Sequence, residues 1–350
     1  MEPSRATPDS VEDKAEEGVD VEHRRLTTTQ TSADSGGAQQ APDLGTISKS
    51  DELFARVSSG IEVCYQTYGD PADEPLVLVM GLSAQMTWWP DAMCRKLADV
   101  GFYVVRMDNR DAGRSESFPG GTGRPNPRIS RNDLIKAGLG LSGAPPYTLS
   151  DMAADVIGLL DHLGIERAHL VGASMGGMIV QTLAIEHPER VSSLVSIMST
   201  TGNRLVGWQS PRLFPRLLNA GARTREEYVQ RTIETAALIG SPQFPDTPES
   251  LVSRAEETWD RGMNNVGVLR QMLAILRQAD RTKALARVGV PVGVIHGTAD
   301  RMVHHSGGRA TAGAIHGAEL DLIEGMGHDL PKALHDRFVA LIRRVADRAA

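Results

Sequence analysis

The sequence predicts an α/β fold, a mostly parallel doubly wound sheet with an inserted helical cap, and three observations carry this. Short unbroken apolar runs alternate with segments of helical period. One long stretch, 204–286, is helical in pattern without a strand signal and interrupts the alternation. The chain is also long enough, at 350 residues with 41% hydrophobic, to bury a large core.

The ordered part is expected to begin at residue 51, where LFARV and IEVCYQTYG read as two strands. Six apolar runs follow: Leu76–Met80, Tyr103–Met107, Ala168–Val171, Val191–Ser196, Val292–Ile295 and Leu320–Ile323. Parallel strands look like this because helices cover both faces of the sheet. Helices are expected over Trp88–Val100, Leu149–Leu163, Met175–Glu186 and Pro331–Val345, the second with a cap at Ser150 and a stop at Gly164. Residues 116–147 carry many Pro and Gly and little periodicity. The division is therefore a core of 51–203 and 287–350, with a helical cap of 204–286 over the carboxyl edge of the sheet. Open α/β sheets bind ligands at that edge.

Residues 1–50 contain no Phe, Tyr or Trp and hold ten acidic against five basic residues. Such a segment buries too little apolar area to offset its ordering entropy, so a disordered acidic tail is expected. The remainder holds 34 acidic and 32 basic residues, so most of the net charge of -7 sits in the tail. A nearly balanced core offers no basic surface for nucleic acid. Two cysteines, Cys64 and Cys94, cannot make a disulfide framework and fit a reducing compartment as small buried residues. The first residues lack a basic and then apolar leader, and no run approaches the ~18 apolar residues of a membrane span. A cytoplasmic location without stable membrane insertion is expected. His304 and His305 are neighbours, which seldom share a metal, and the glycines at 172, 176 and 177 do not fit a dinucleotide fingerprint. Neither metal nor cofactor is expected. Oligomeric state leaves no mark in the sequence.

The chemistry concentrates in three short segments. Gly172-Ala173-Ser174-Met175-Gly176-Gly177 lies directly between a strand and a helix. In that context G-x-S-x-G is a nucleophile elbow, a tight turn that exposes the serine hydroxyl at a helix N-terminus. A serine hydroxyl needs a base near neutral pH. His328, in GMGHD after the last apolar run, reaches the same edge. The base needs an acid to fix its tautomer, and Asp300 in HGTAD follows the fifth run. Asp329, adjacent to the histidine, and Asp321, along a strand, are the poorer alternatives. An oxyanion hole needs two backbone amides, and the candidates are Met175 and, from the loop after Leu76–Met80, Leu82. Ser83 and Gln85 line that loop. Asp108-Asn109-Arg110-Asp111-Ala112-Gly113-Arg114-Ser115 reads as a hydrogen-bonded structural loop beside the site.

Past residue 50 these residues resemble the α/β-hydrolase superfamily, on GASMGG, DNRDAGRS, and HGTAD followed by GMGH. Within it, MGLSAQMTWWP and DNRDAGRSE are similar to bacterial esterases and lipases of the aclacinomycin-methylesterase-like group. The resemblance implies catalytic Ser174, Asp300 and His328 with the amides of Leu82 and Met175, and hydrolysis of a small-molecule ester through an acyl-enzyme. One departure is Met80-Gly81, where many members have His-Gly. The donor there is a backbone amide, so the function is expected to survive.

Trp88, Trp89, Met178 and Trp208, with Phe214 and the Val268–Leu276 pattern, are candidates to line an apolar substrate pocket, which suits a moderately hydrophobic carboxylic ester. Two rival readings share these residues. One is a cofactor-free perhydrolase, of the non-haem haloperoxidase type, with peroxide in place of water. The other is a silent α/β-hydrolase fold that only binds ligand.

Overall fold

A computed structural model describes residues 47–118, 129–139, 141, 144–213 and 222–349. Residues 1–46 of the expected acidic tail and Phe214 lie outside these residues; the tail's last four, 47–50, are described, and Lys49 makes an antiparallel bridge to Tyr68, so the ordered chain starts before residue 51.

Eight strands form one sheet: β1 Leu53–Arg56, β2 Glu62–Tyr68, β3 Glu74–Val79, β4 Phe102–Met107, β5 Ala168–Ala173, β6 Val191–Ile197, β7 Val292–Gly297 and β8 Glu319–Ile323. Their order is β1-β2-β4-β3-β5-β6-β7-β8. β2 is antiparallel to both β1 and β4, and every other pairing is parallel. The helices are α1 Asp91–Asp99, α2 Arg131–Gly138, α3 Leu149–His162, α4 Met175–Glu186, α5 Arg225–Ile239, α6 Pro248–Arg261, α7 Asn265–Leu276, α8 Thr282–Leu285, α9 Ser306–Ala314 and α10 His335–Ala346.

Alternate residues of the central strands feed two cores. Val77 and Val79 pack with Leu149, Val156, Ile179 and Leu183 of α3 and α4. Leu76 and Leu78 pack with Met93, Leu97, Phe338 and Ile342 of α1 and α10 on the other face. Burying both faces is what makes these strands uniformly apolar.

Several boundaries differ from the sequence expectations. The helix expected from Trp88 starts at Asp91, after a 3₁₀ turn at Met86–Trp88, because Pro90 cannot continue a helix from its N-terminal side. The cap of α3 is Thr148, not Ser150: the Thr148 hydroxyl accepts from the Asp151 amide, and the Asp151 carboxylate accepts from the Thr148 amide. The Ser150 hydroxyl instead donates to Glu186. The last helix begins at His335, after a 3₁₀ turn at Lys332–Leu334, rather than at Pro331. α2 lies in the stretch that reads as aperiodic, opened by a capping box between Ser130 and Asp133.

The order β4-β3-β5 contains the functional geometry. The chain leaves β3 toward β4 on one side, then crosses to β5 on the other. The C-terminal ends of β3 and β5 therefore flank the switch point where open sheets form a crevice. In the β3–β5 register Val79 is opposite Gly172, so the loops that follow emerge side by side. Between β6 and β7 the described chain is helical, with α5 to α8 and no strand.

Candidate active site

Ser174 is the residue after β5, held at φ 55° and ψ -118°. A non-glycine residue in this region costs roughly 1–3 kcal/mol and persists only when its surroundings fix it. The fixing contacts are present. Its amide donates to the Ile197 carbonyl at 2.9 Å, and its carbonyl accepts from the Ser199 hydroxyl at 2.8 Å. Gly176 lets α4 press against β3, since a Cβ there would sit 2.0 Å from the Val79 carbonyl oxygen.

The other three described non-glycine residues with positive φ are Ser83, Asp111 and Met198. With Ser174 they fall in the loops directly after β3, β4, β5 and β6. Backbone strain in the described chain is thus concentrated on one edge of the sheet.

His328 stands five residues past β8, and Asp300 three past β7. These strands pair with Gly297 opposite Ile323, so both loops rise together. The His328 Nε2 atom is 3.0 Å from the Ser174 Oγ, and its Nδ1 is 2.8 Å from the Asp300 carboxylate. A carboxylate only accepts, so the proton sits on Nδ1 and Nε2 is free to take the serine proton. The other Asp300 oxygen accepts from the amides of Met302 and Val303, both at 2.8 Å. Burial alone would raise the Asp300 carboxyl. The charge of His328 and hydrogen bonds from His296 and His328 overcome it and hold the group well below the usual carboxylate range. His296, fully buried, gives its Nε2 proton to the Val303 carbonyl at 2.8 Å and lies 3.3 Å from Asp300. Sequence reading passed over it, although it opens the same HGTAD segment.

Asp329 is engaged by the insert, accepting from the amide and hydroxyl of Ser241. Asp321 is paired with Arg337. Neither competes with Asp300.

The loop after β3 meets Ser174 without an intervening side chain. A Cβ on Gly81 would lie 3.0 Å from the Ser174 Cβ, tighter than ordinary packing, so glycine eases this close approach. The Leu82 amide has no protein acceptor among the described residues. Met175 is the first residue of α4, where N–H groups lack helical acceptors. Two such amides beside a serine hydroxyl can stabilise an acyl oxyanion.

The loop 108–115 is the anchor of the segment between β6 and β7. Asp108 accepts from the Met86 amide at 2.6 Å and from Arg261 of α6 at 2.5 Å. Asp111 takes both arms of Arg270 of α7 and the Tyr147 hydroxyl. Asn109 donates to the Met80 carbonyl at 2.7 Å, and Arg110 forms a buried two-armed pair with Asp155 of α3. On the opposite side of the site, the Ile239 carbonyl at the end of α5 accepts the His328 amide at 2.6 Å, and the Ser241 hydroxyl accepts the Gly327 amide at 2.8 Å.

The four pocket candidates divide. Trp89 is fully buried among Tyr68, Met93 and Phe102, so its bulk serves the core rather than the cleft; the expectation that it lines a pocket is corrected. Met178 is likewise buried, in the core between the sheet and α4. Trp88 is half-buried, donates to the Thr258 hydroxyl and lies under the Arg254 guanidinium. Trp208 is 53% exposed and stacks on His304 with ring centroids 4.0 Å apart. It lines a depression of about 220 Å³ with Ser210, Arg212, Asp300, Arg301 and His304. Among the described residues no group of three metal-ligating side chains occurs, and no helix is long and apolar enough to cross a membrane.

Residues 74–331 match the profile of the alpha/beta hydrolase fold family. The chain is 30% identical over 294 residues to rhodomycin D methylesterase DnrP of Streptomyces peucetius, covering 78% of this chain and 91% of that protein. It is 28% identical to 3-oxoadipate enol-lactonase 2 of Acinetobacter baylyi, covering 80% and 92%. Among solved structures, the enol-lactonase from Burkholderia xenovorans LB400 superposes with a TM-score of 0.62 at 24% identity, covering 84% of this chain and 98% of that one.

Proposed function

The chain belongs to the α/β-hydrolase fold family, as a carboxylic ester hydrolase, and from that premise we propose that it cleaves a moderately hydrophobic ester through an acyl-enzyme on Ser174. The observation that carries this reading is the continuous line from the Ser174 Oγ to His328 at 3.0 Å and from His328 to Asp300 at 2.8 Å.

In the first stage His328 Nε2 takes the hydroxyl proton as Oγ attacks the ester carbonyl. The carbonyl oxygen becomes an oxyanion between the amides of Leu82 and Met175. Asp300, kept ionised, stabilises the imidazolium. His328 then returns the proton to the leaving alcohol, and the ester C–O bond breaks. In the second stage water gives a proton to the same nitrogen and attacks the acyl-enzyme. The tetrahedral intermediate collapses to the acid, and Ser174 is reprotonated. The 30%-identical relative is named a methylesterase, which favours an ester with a short alcohol. The partly open rings of Trp88 and Trp208 suit an apolar acyl part.

The test is hydrolysis of a panel of p-nitrophenyl and methyl esters graded in acyl length. Saturable turnover by the wild type and loss of it in Ser174→Ala are expected. Equal, unsaturable rates for the two proteins would overturn the proposal, and bromination in acetate and peroxide without ester turnover would favour the perhydrolase reading.

A further inference from the structure

We propose that Gln271, on the inserted helix α7, is a positioning residue for the oxyanion hole: it holds the Ser83 amide and so fixes the neighbouring Leu82 N–H toward the acyl oxygen. This rests on the reading of Leu82 as an oxyanion donor.

Gln271 is fully buried. Its Oε1 accepts the Ser83 N–H at 2.8 Å, and its Nε2 donates to the Arg110 carbonyl at 2.8 Å. The two ends of one amide thus join the loops after β3 and β4. A flipped amide would set NH₂ against N–H and oxygen against oxygen, so the orientation is unique. Ser83 has φ 59°, a conformation that reverts unless it is held. The Gln271 hydrogen bond holds the peptide adjoining the one that carries the Leu82 N–H. Asn109 fixes the other side of this short loop through the Met80 carbonyl.

Helix α7 is itself firmly seated. Arg270, the preceding residue, grips Asp111 with both arms. Asn264 at the N-cap donates to Asp111 and Ser117. Gly267 brings the helix so close that a Cβ would lie 2.5 Å from the Asp111 carbonyl oxygen. Gln271 therefore transmits the seating of the insert to a catalytic amide, without touching substrate.

The experiment uses the full chain and two variants. Gln271→Met fills the same space without either hydrogen bond. Turnover of p-nitrophenyl butyrate is measured beside inhibition by a trifluoromethyl ketone, which forms a tetrahedral alkoxide on the serine. The active fraction is titrated with a fluorophosphonate so that misfolded protein is not counted. For Gln271→Met, kcat per active site falls about 10²-fold, the range for a lost oxyanion donor. KM stays within about twofold, and affinity for the ketone falls in step with kcat. Arg225→Gln, which removes exposed ion pairs of the insert to Glu256 and Asp260, leaves kcat unchanged. The proposal is overturned if Gln271→Met keeps its kcat and ketone affinity per active site. Absence of turnover and labelling in the wild type would instead overturn the reading of Ser174.

Discussion

Ser174, Asp300 and His328 stand one, three and five residues beyond the ends of β5, β7 and β8. The contacts that seat the insert are of another kind. Arg261 on Asp108, Arg270 on Asp111 and Gln271 on Ser83 join residues 153, 159 and 188 apart in sequence. In the first region a parallel sheet delivers each side chain to one edge, and a few flanking residues complete it. In the second, charged and amide side chains are buried at a seam where removing one partner strands the other. The contrast teaches that the geometry of the proposed triad belongs to the sheet, while the loop after β3 and the His328 loop are also held from the insert.

Each expectation attacks one side of this contrast. Ser174→Ala should lower kcat by about 10⁴–10⁶-fold with little change in melting temperature, because the proposed nucleophile would carry chemistry and not packing; steady-state kinetics beside a melting curve check both halves. Asp300→Asn should follow, at about 10⁴-fold in kcat, since the amide favours the wrong imidazole tautomer. Arg270→Met strands a buried carboxylate at Asp111 and should cost about 3–5 kcal/mol of stability. Urea denaturation measures it, and a cost under about 1 kcal/mol would place the seam with exposed ion pairs instead.

The smallest effect is a pH dependence at Asp300. Its carboxyl is held below the usual range, so its ionisation contributes stability that is fully present above the unfolded-state value of about 3.9. That contribution is lost as pH falls below it toward the folded value. The gap in melting temperature between wild type and Asp300→Asn should therefore be widest near neutrality and narrow toward pH 3. A gap independent of pH would mean that Asp300 acts in folding by shape alone.

The same contrast explains what was legible in the sequence. The central strands could be read because burial on both faces leaves continuous apolar runs, and the proposed triad residues drew notice because each sits in a short motif at a strand end. The insert's helices were legible from their period, but their seating was not. Nothing near Gln271 in the chain names Ser83, and Asp108 and Asp111 look like ordinary loop residues until Arg261 and Arg270 are folded onto them. Trp89 and Trp88 are adjacent and chemically identical; only the turn at Met86–Trp88 sends one into the core and leaves the other half-buried. α9, SGGRATAGA, carried no apolar stripe to announce it. Gly307 and Gly308 serve close packing, and a Cβ on Gly308 would lie 2.6 Å from the His296 ring.

The side-by-side emergence of the loops after β3 and β5 has a kinetic consequence. No short contiguous fragment of this chain holds the whole of the proposed site. Ser174 meets His328 across 154 residues, and Ser83 meets Gln271 across 188. Such distant pairings close late and slowly when a chain folds. Recovery of ester turnover after dilution from denaturant is therefore a clock for the final assembly of the molecule, and should lag behind the return of helical signal.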